Sequence, residues 1–300
     1  MDPDLRKLRY FVAVAEELHF GRAAERLHIA QPVLSRQIRS LEEDLGAELF
    51  DRDRRGTLLT PAGEQLLEDT VPLLASAQAL VRRVKRAAQG IPTLTIGFMP
   101  GITLTPATVL FTGRHPTVQV RLLRTSWDDQ VAVLLDGRAD VGIVRRPFDQ
   151  RGLQVRPLFR EPRVVVLPVR HRLADRSVVT VADLAFEHLL QDPDAVPEWR
   201  DVAVELRAGR RADIPVIHQV EEKLELVASG AGICVLPLST ASFYTRPDVT
   251  ALRVDGLGPN EVALAWAASR RSPLVRAFAE AAAETLGRPG TADPGAGAEP

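Results

Sequence analysis

The chain is 300 residues long and 45% hydrophobic, with 38 basic and 39 acidic side chains and a formal net charge of −1. That length allows two or three domains with substantial cores. Balanced charge excludes polyanion binding through overall charge, so any such contact must come from locally grouped bases, and a single cysteine excludes an intrachain disulfide framework.

The opening Met-Asp-Pro-Asp has neither the basic stretch nor the apolar core of an export signal. No apolar run approaches the roughly 18 residues that span a bilayer. The expected location is the cytoplasm, with no membrane partner. Leu5, Leu8, Phe11, Val12 and Ala15 recur at helical spacing and predict a first amphipathic helix. Residues 20–41, FGRAAERLHIAQPVLSRQIRSL, read as two short amphipathic helices across a tight polar turn. Gly21 is placed to cap the first of them, which keeps Ala23, Ala24 and Leu27 on one face. The second turns Leu34, Ile38, Leu41 and Leu45 inward and ends at Gly46. Its opposite face offers Gln31, Ser35, Arg36 and Arg39. Glutamine pairs bidentately with adenine, arginine with guanine, and serine reaches phosphate or base, so this face suits the DNA major groove. Beyond it, residues 49–52 and 57–59 predict two short strands around the basic turn RDRRG, a hairpin placed to touch phosphates or the minor groove.

Residues 5–63 together resemble the winged helix-turn-helix of LysR-type transcriptional regulators, and the resemblance continues more loosely to about residue 286. It implies a DNA-binding regulator and not an enzyme. The implied partners are double-stranded DNA, a small-molecule effector, further copies of the chain in a homodimer or homotetramer, and RNA polymerase, with a place at the nucleoid and no cofactor or metal. Family contacts fall on Gln31, Pro32, Ser35 and Arg36 of the second helix and on Arg52 and Arg54 of the hairpin. One departure concerns the cap. The family often has serine before the Gln-Pro pair, where this chain has Ala30, and an alanine cap is weaker by about 1 kcal/mol. The implied fold class is α/β overall. It comprises an all-α winged helix-turn-helix domain (1–63, with the helix-turn-helix at about 22–41), a long linker helix (64–90) and a two-lobed periplasmic-binding-protein-like (type 2) domain (91–287). A Pro/Gly/Ala-rich tail, 288–300, is expected to be disordered.

The linker also reads on its own. Thr60 caps it, Pro61 opens it, and Leu67, Leu74, Val81 and Ala88 recur every seven residues, with Ala77 and Val84 between them. That seam predicts pairing with a second copy, although Pro72 removes one hydrogen bond inside it. Two paired reading heads require an interrupted inverted repeat as operator.

From residue 93 strands and helices alternate. TLTIGF, TVQVRLL and ADVGIV read as strands, TLTPATVLFTGRHP and SWDDQVAVLLDG as helices, and the order predicts a parallel open sheet. A second alternating set follows: RVVVLP, VADL, VPEWRDVAVELRAG, IPVIHQV, EKLELVASG and ICVLP. VALAWAAS and the helix PLVRAFAEAAAETLG then return the chain. Lobe 1 is expected at about 91–161 and 266–287, lobe 2 at about 162–265. Ligands of such sheets sit beyond the carboxyl ends of the strands. Two helix N-termini are expected there, after Met99 and after Thr125, and favour an anion. Thr103, Thr125 and Ser126 supply hydroxyls, Arg145 or Arg146 a guanidinium fork, and Trp127 and Phe148 apolar walls. Gln219 and Glu221, both weaker candidates, face them from the second lobe. The expected effector is a small organic anion. Cys234, inside GICVLPL, reads as a buried structural residue.

The sequence contains no HExxH, GxxxxGK(S/T) or GxSxG motif, and no GxGxxG after a strand. The alternative reading is a small-molecule-binding protein or enzyme whose N-terminal helices only mediate oligomerisation. Such a module has no use for Gln31, Ser35, Arg36 and Arg39 exposed together beside a basic hairpin.

Overall fold

The computed structural model describes residues 4–53, 56–88, 90–207, 217 and 219–287. It divides near Ala88 into two compact units. The first holds α1 (Leu5–Glu17), α2 (Phe20–Arg26), α3 (Gln31–Leu45), β1 (Phe50–Asp53), β2 (Gly56–Leu59) and α4 (Pro61–Ala87).

Local chemistry sets the ends of these helices. The Asp4 carboxylate accepts the Arg6 amide at 2.7 Å and caps α1. Gly21 lies inside α2 rather than capping it. His19 is the cap, and its ring accepts the Arg22 amide at 3.2 Å. As expected from Ala30, the start of α3 has no side-chain cap, and Pro32 in its first turn presets the helical backbone. Gly46 closes α3 at φ 66°. Leu34, Ile38 and Leu41 are buried, but Leu45 is 44% exposed. The inward stripe therefore ends one turn early, because the last turn of α3 runs past the small core. Lys7 reaches Ser40 at 2.8 Å and Asp44, tying α1 to α3.

Phe50 joins the hairpin to the helices. Its ring lies 5.4 Å from Phe11 and edge-on to Phe20 at 5.7 Å. The two strands pair antiparallel from Phe50 opposite Leu59 to Asp53 opposite Gly56. Thr60 caps α4 by accepting the Gly63 amide at 3.0 Å, and the helix continues through Pro72. The heptad reading of α4 needs correction. Leu74 is buried in the first unit's own core and Leu67 packs against it, so neither is free to form a seam. The exposed large apolar residues of α4 are Val71, Leu73, Leu80, Val81 and Val84.

The second unit is a pair of α/β lobes. It contains β3 (Thr93–Phe98), α5 (Thr105–Arg114), β4 (Gln119–Arg124), α6 (Ala132–Leu135), β5 (Val141–Arg145) and β6 (Leu153–Glu161). These are followed by β7 (Arg163–Pro168), β8 (Val178–Thr180), α7 (Pro197–Arg200), α8 (Val204–Arg207), α9 (Val220–Ser229), β9 (Cys234–Pro237), α10 (Leu238–Phe243), β10 (Val249–Asp255), β11 (Asn260–Ala267) and α11 (Pro273–Leu286).

Lobe 1 is a sheet of order β4-β3-β5-β11-β6. Only β3, β4 and β5 run parallel; β11 is antiparallel to both its neighbours, so the sheet is mixed. Helices α5 and α11 cover one face, with Phe111 edge-on to Phe278 at 5.8 Å. Because β11 pairs from Asn260 opposite Glu161, the chain has returned to lobe 1 by Asn260, not at residue 266. Lobe 2 has the order β8-β10-β7-β9, with Trp199 buried beneath it and its ring N–H donated to the Leu184 carbonyl at 3.1 Å.

The stretch SWDDQVAVLLDG is not one helix. The Asp129 carboxylate accepts both the amide and the hydroxyl of Ser126, at 2.7 and 3.1 Å, and closes a turn that competes with helix. Only α6 follows. Most of IPVIHQV and the tail 288–300 lie outside the described residues.

Candidate functional site

On the first unit, α3 presents Gln31, Pro32, Arg36 and Arg39 to solvent, with Ser35 half-buried beside them. The arginines of α2 are engaged with Glu16 and Glu17. Arg36 and Arg39 have no hydrogen bond or ion pair among the described residues, so their donors are available to a ligand. Val33, 37% exposed, stands among them and suits a thymine methyl. Its signal in the sequence is position: it is an apolar residue off the buried stripe of Leu34, Ile38 and Leu41. In the hairpin, Arg52 pairs opposite Thr57; Arg54 lies outside the described residues.

The second unit contains a cavity of about 1040 Å³ between its lobes. Thr125, Ser126, Trp127, Arg145, Arg146, Phe148, Gln219 and Glu221 all line it. Thr103 does not: it is exposed, and α5 begins only at Thr105. Apart from Thr103 the expected residues thus share one cavity, but the two expected helix N-termini do not serve it. One lies away from the cavity. The other is the Ser126–Asp129 turn, whose leading amide is already taken.

Arg145 does not supply an open fork. Its side chain is 1% exposed, as is that of Glu161, with which it pairs. It also donates to Asn260 Oδ1 at 2.9 Å and Ser239 Oγ at 2.8 Å. Glu161 accepts the Ser239 amide at 2.9 Å, so the pair ties lobe 1 to the start of α10 in lobe 2. Burial pushes the guanidinium pKa down against the opposing pull of Glu161. Nearby, Gly101 sits at φ +89°, and a Cβ there would come within 2.7 Å of the Ser239 and Thr240 backbone. Only glycine lets the two lobes approach so closely at this point.

A second tie crosses the cavity mouth. Arg124 donates to Glu221 at 2.8 Å and to the Tyr244 hydroxyl at 3.0 Å, and Tyr244 donates to the same carboxylate at 2.9 Å. Burial raises the Glu221 pKa, but the backbone, Tyr244 and Arg124 together outweigh it and leave the carboxyl below its ordinary value. Arg146 is partly exposed, 3.1 Å from Gln150 and 3.9 Å from Glu261. Lys223 of α9 also lines the cavity. Its signal in the sequence is position: it falls on the apolar stripe Val220, Leu224 and Val227, where a charge is out of pattern. Cys234 is fully buried, and burial pushes its thiol up to about 12.

Comparison with known proteins gives consistent results. A family model described as bacterial regulatory helix-turn-helix protein, lysR family, matches residues 5–64, and one described as LysR substrate binding domain matches residues 87–287. The chain is 34% identical over 290 residues to the Hca operon transcriptional activator HcaR of Escherichia coli, covering 94% of this chain and 98% of that protein. The crystal structure of CbnR, a LysR family transcriptional regulator, is 27% identical with a TM-score of 0.59, covering 95% of this chain and 99% of CbnR. CbnR complexed with its target DNA matches with a TM-score of 0.50 and 28% identity, over 94% and 99% of the two chains. A hydrogen-peroxide-bound OxyR variant of Corynebacterium glutamicum matches with a TM-score of 0.53 and 27% identity, over 96% and 92%.

Proposed function

Because the chain belongs to the LysR family of DNA-binding transcriptional regulators, we propose that it reads an interrupted inverted repeat with two copies of α3 and responds to a small organic anion held between the lobes of the second unit. The observation that carries the DNA reading is the shared face of Gln31, Ser35, Arg36 and Arg39, whose two arginines are unengaged among the described residues. Arg36→Ala is expected to cost about 1–3 kcal/mol at the cognate site and to relax sequence preference there. A gel shift on the DNA upstream of its own gene measures this. Binding equal to wild type by a folded variant refutes the assignment. Arg52 and Arg54 are proposed to contact phosphates or the minor groove, contributing affinity without sequence preference.

Pairing through α4 is the second part. The supporting stripe is Leu73, Ala77, Leu80 and Val84, spaced by four, three and four residues, with the three large members exposed. Leu80→Glu in the full chain is expected to shift sedimentation from dimer or tetramer to monomer and to weaken operator binding. An unchanged oligomer places pairing elsewhere. Leu74 is unsuitable for this test, since it serves the core.

For the effector, the support is a cleft between the lobes with apolar walls at Trp127 and Phe148 and hydroxyl and cationic groups on its lining. The effector acts only if it binds one lobe arrangement better than another. As a regulator of transcription the protein would work in the cytoplasm at the nucleoid, alongside RNA polymerase. A peroxide response has less support: the only cysteine, Cys234, is buried, and its high pKa leaves almost no thiolate at neutral pH.

A further inference from the structure

Five bases line the cavity: Arg124, Arg145, Arg146, Arg163 and Lys223. The four arginines are engaged, three as described above and Arg163 with Glu198. Among the described residues the Lys223 ammonium has neither a hydrogen bond nor an ion pair. Asp128 and the Cys234 thiol lie near enough to act on it electrostatically, without reaching it as hydrogen-bond partners. Burial depresses its pKa from the ordinary lysine value, the mark of an ammonium whose lost hydration is not replaced.

Two further donors on the same lining lack acceptors. Thr125 is 4% exposed and its hydroxyl has no partner, and neither does Nε of Arg145. Buried donors left unmet are costly, so a cavity holding several is complementary to a ligand rich in acceptors. The lining carries six acids, Asp128, Asp129, Asp192, Asp194, Glu221 and Glu261, against its five bases, and this excess of negative charge disfavours a second carboxylate on the ligand.

We infer that Lys223 is the counter-ion of the effector, binding one carboxylate with the Thr125 hydroxyl as a second donor, and that the cavity selects monocarboxylates with an apolar body. The inference rests on the anion response proposed above and adds to it the residue and the number of charges.

The test is calorimetric titration of the full chain with benzoate, cinnamate and hexanoate, each paired with its amide, and with the dicarboxylate adipate. At least one monocarboxylate should bind about tenfold or more tightly than its amide and than adipate. Lys223→Met should lose about tenfold for the acid but not for the amide, and Lys223→Arg should recover part of the loss. Without ligand, Lys223→Met should melt about 2–4 °C higher, since it removes a desolvated and unpaired charge. Equal binding of the acid to wild type and Lys223→Met, or a lower ligand-free melting temperature in that variant, overturns the role of Lys223 and leaves the anion reading standing. Amides that bind as tightly as the acids, or a panel with no acid bound, overturn the anion reading and this inference with it. Adipate binding as tightly as the monocarboxylates overturns the charge count alone.

Discussion

Replacing Glu161 by alanine is expected to destabilise the second unit by about 3–5 kcal/mol, because it leaves the Arg145 guanidinium charged and unpaired in the interior. Both side chains are 1% exposed, so water cannot take over the lost partner. The remaining contacts of Arg145, to Asn260 and Ser239, are neutral and do not compensate a full charge. The change also frees the Ser239 amide and so releases one of the ties between the lobes. Urea unfolding followed by tryptophan fluorescence measures the loss directly, since Trp127, Trp199 and Trp266 all lie in this unit. The double variant Arg145→Met, Glu161→Leu should recover most of the stability, because an apolar pair of similar volume removes both the charge and its desolvation. A loss below about 1 kcal/mol for Glu161→Ala would mean that the pair is hydrated and contributes as a surface pair does.

Phe50→Ala should cost the first unit about 3–5 kcal/mol, the range for a fully enclosed aromatic cut to a methyl. Phe50 is 4% exposed and touches the rings of both Phe11 and Phe20, so one substitution loosens α1, α2 and the hairpin together. The expected result is early loss of helical circular dichroism and of operator binding, with the tryptophan transition of the second unit in place. Retained DNA affinity would show that α3 is held without the aromatic cluster.

The two variants mark how differently the two units could be read. In the first, contacts are short in sequence and helical spacing carries them. Leu34, Ile38 and Leu41 are buried where the periodicity put them, and Thr60, Pro61 and Gly46 act where their backbone chemistry puts them. The errors there were errors of competition. His19 took the cap from Gly21 because its ring reaches an amide that glycine cannot bond. Leu74 went to the core because α4 packs against α1, which no periodicity of α4 alone reveals.

In the second unit the strands were legible from their apolar runs, and so was which residues lie near their ends. What those residues do was not. An arginine at the end of β5 reads as a free fork until Glu161 and Asn260, 16 and 115 residues away, close around it. Asn260 is the chain's sole asparagine, yet nothing local shows that it accepts from Arg145. The antiparallel entry of β11 depends on register between distant segments and not on either segment's composition.

By itself the sequence determined the helices of the first unit, the exposed polar face of α3, the family and the presence of an α/β domain, because these follow from short-range periodicity and backbone chemistry. Tertiary structure alone decided which charges are spent on one another and which remain available to a ligand. Arg145, marked by the sequence for an anion, is consumed by a buried carboxylate. Lys223, hidden on an apolar stripe, has no side-chain partner among the described residues, because ion pairing depends on proximity in space between residues far apart along the chain.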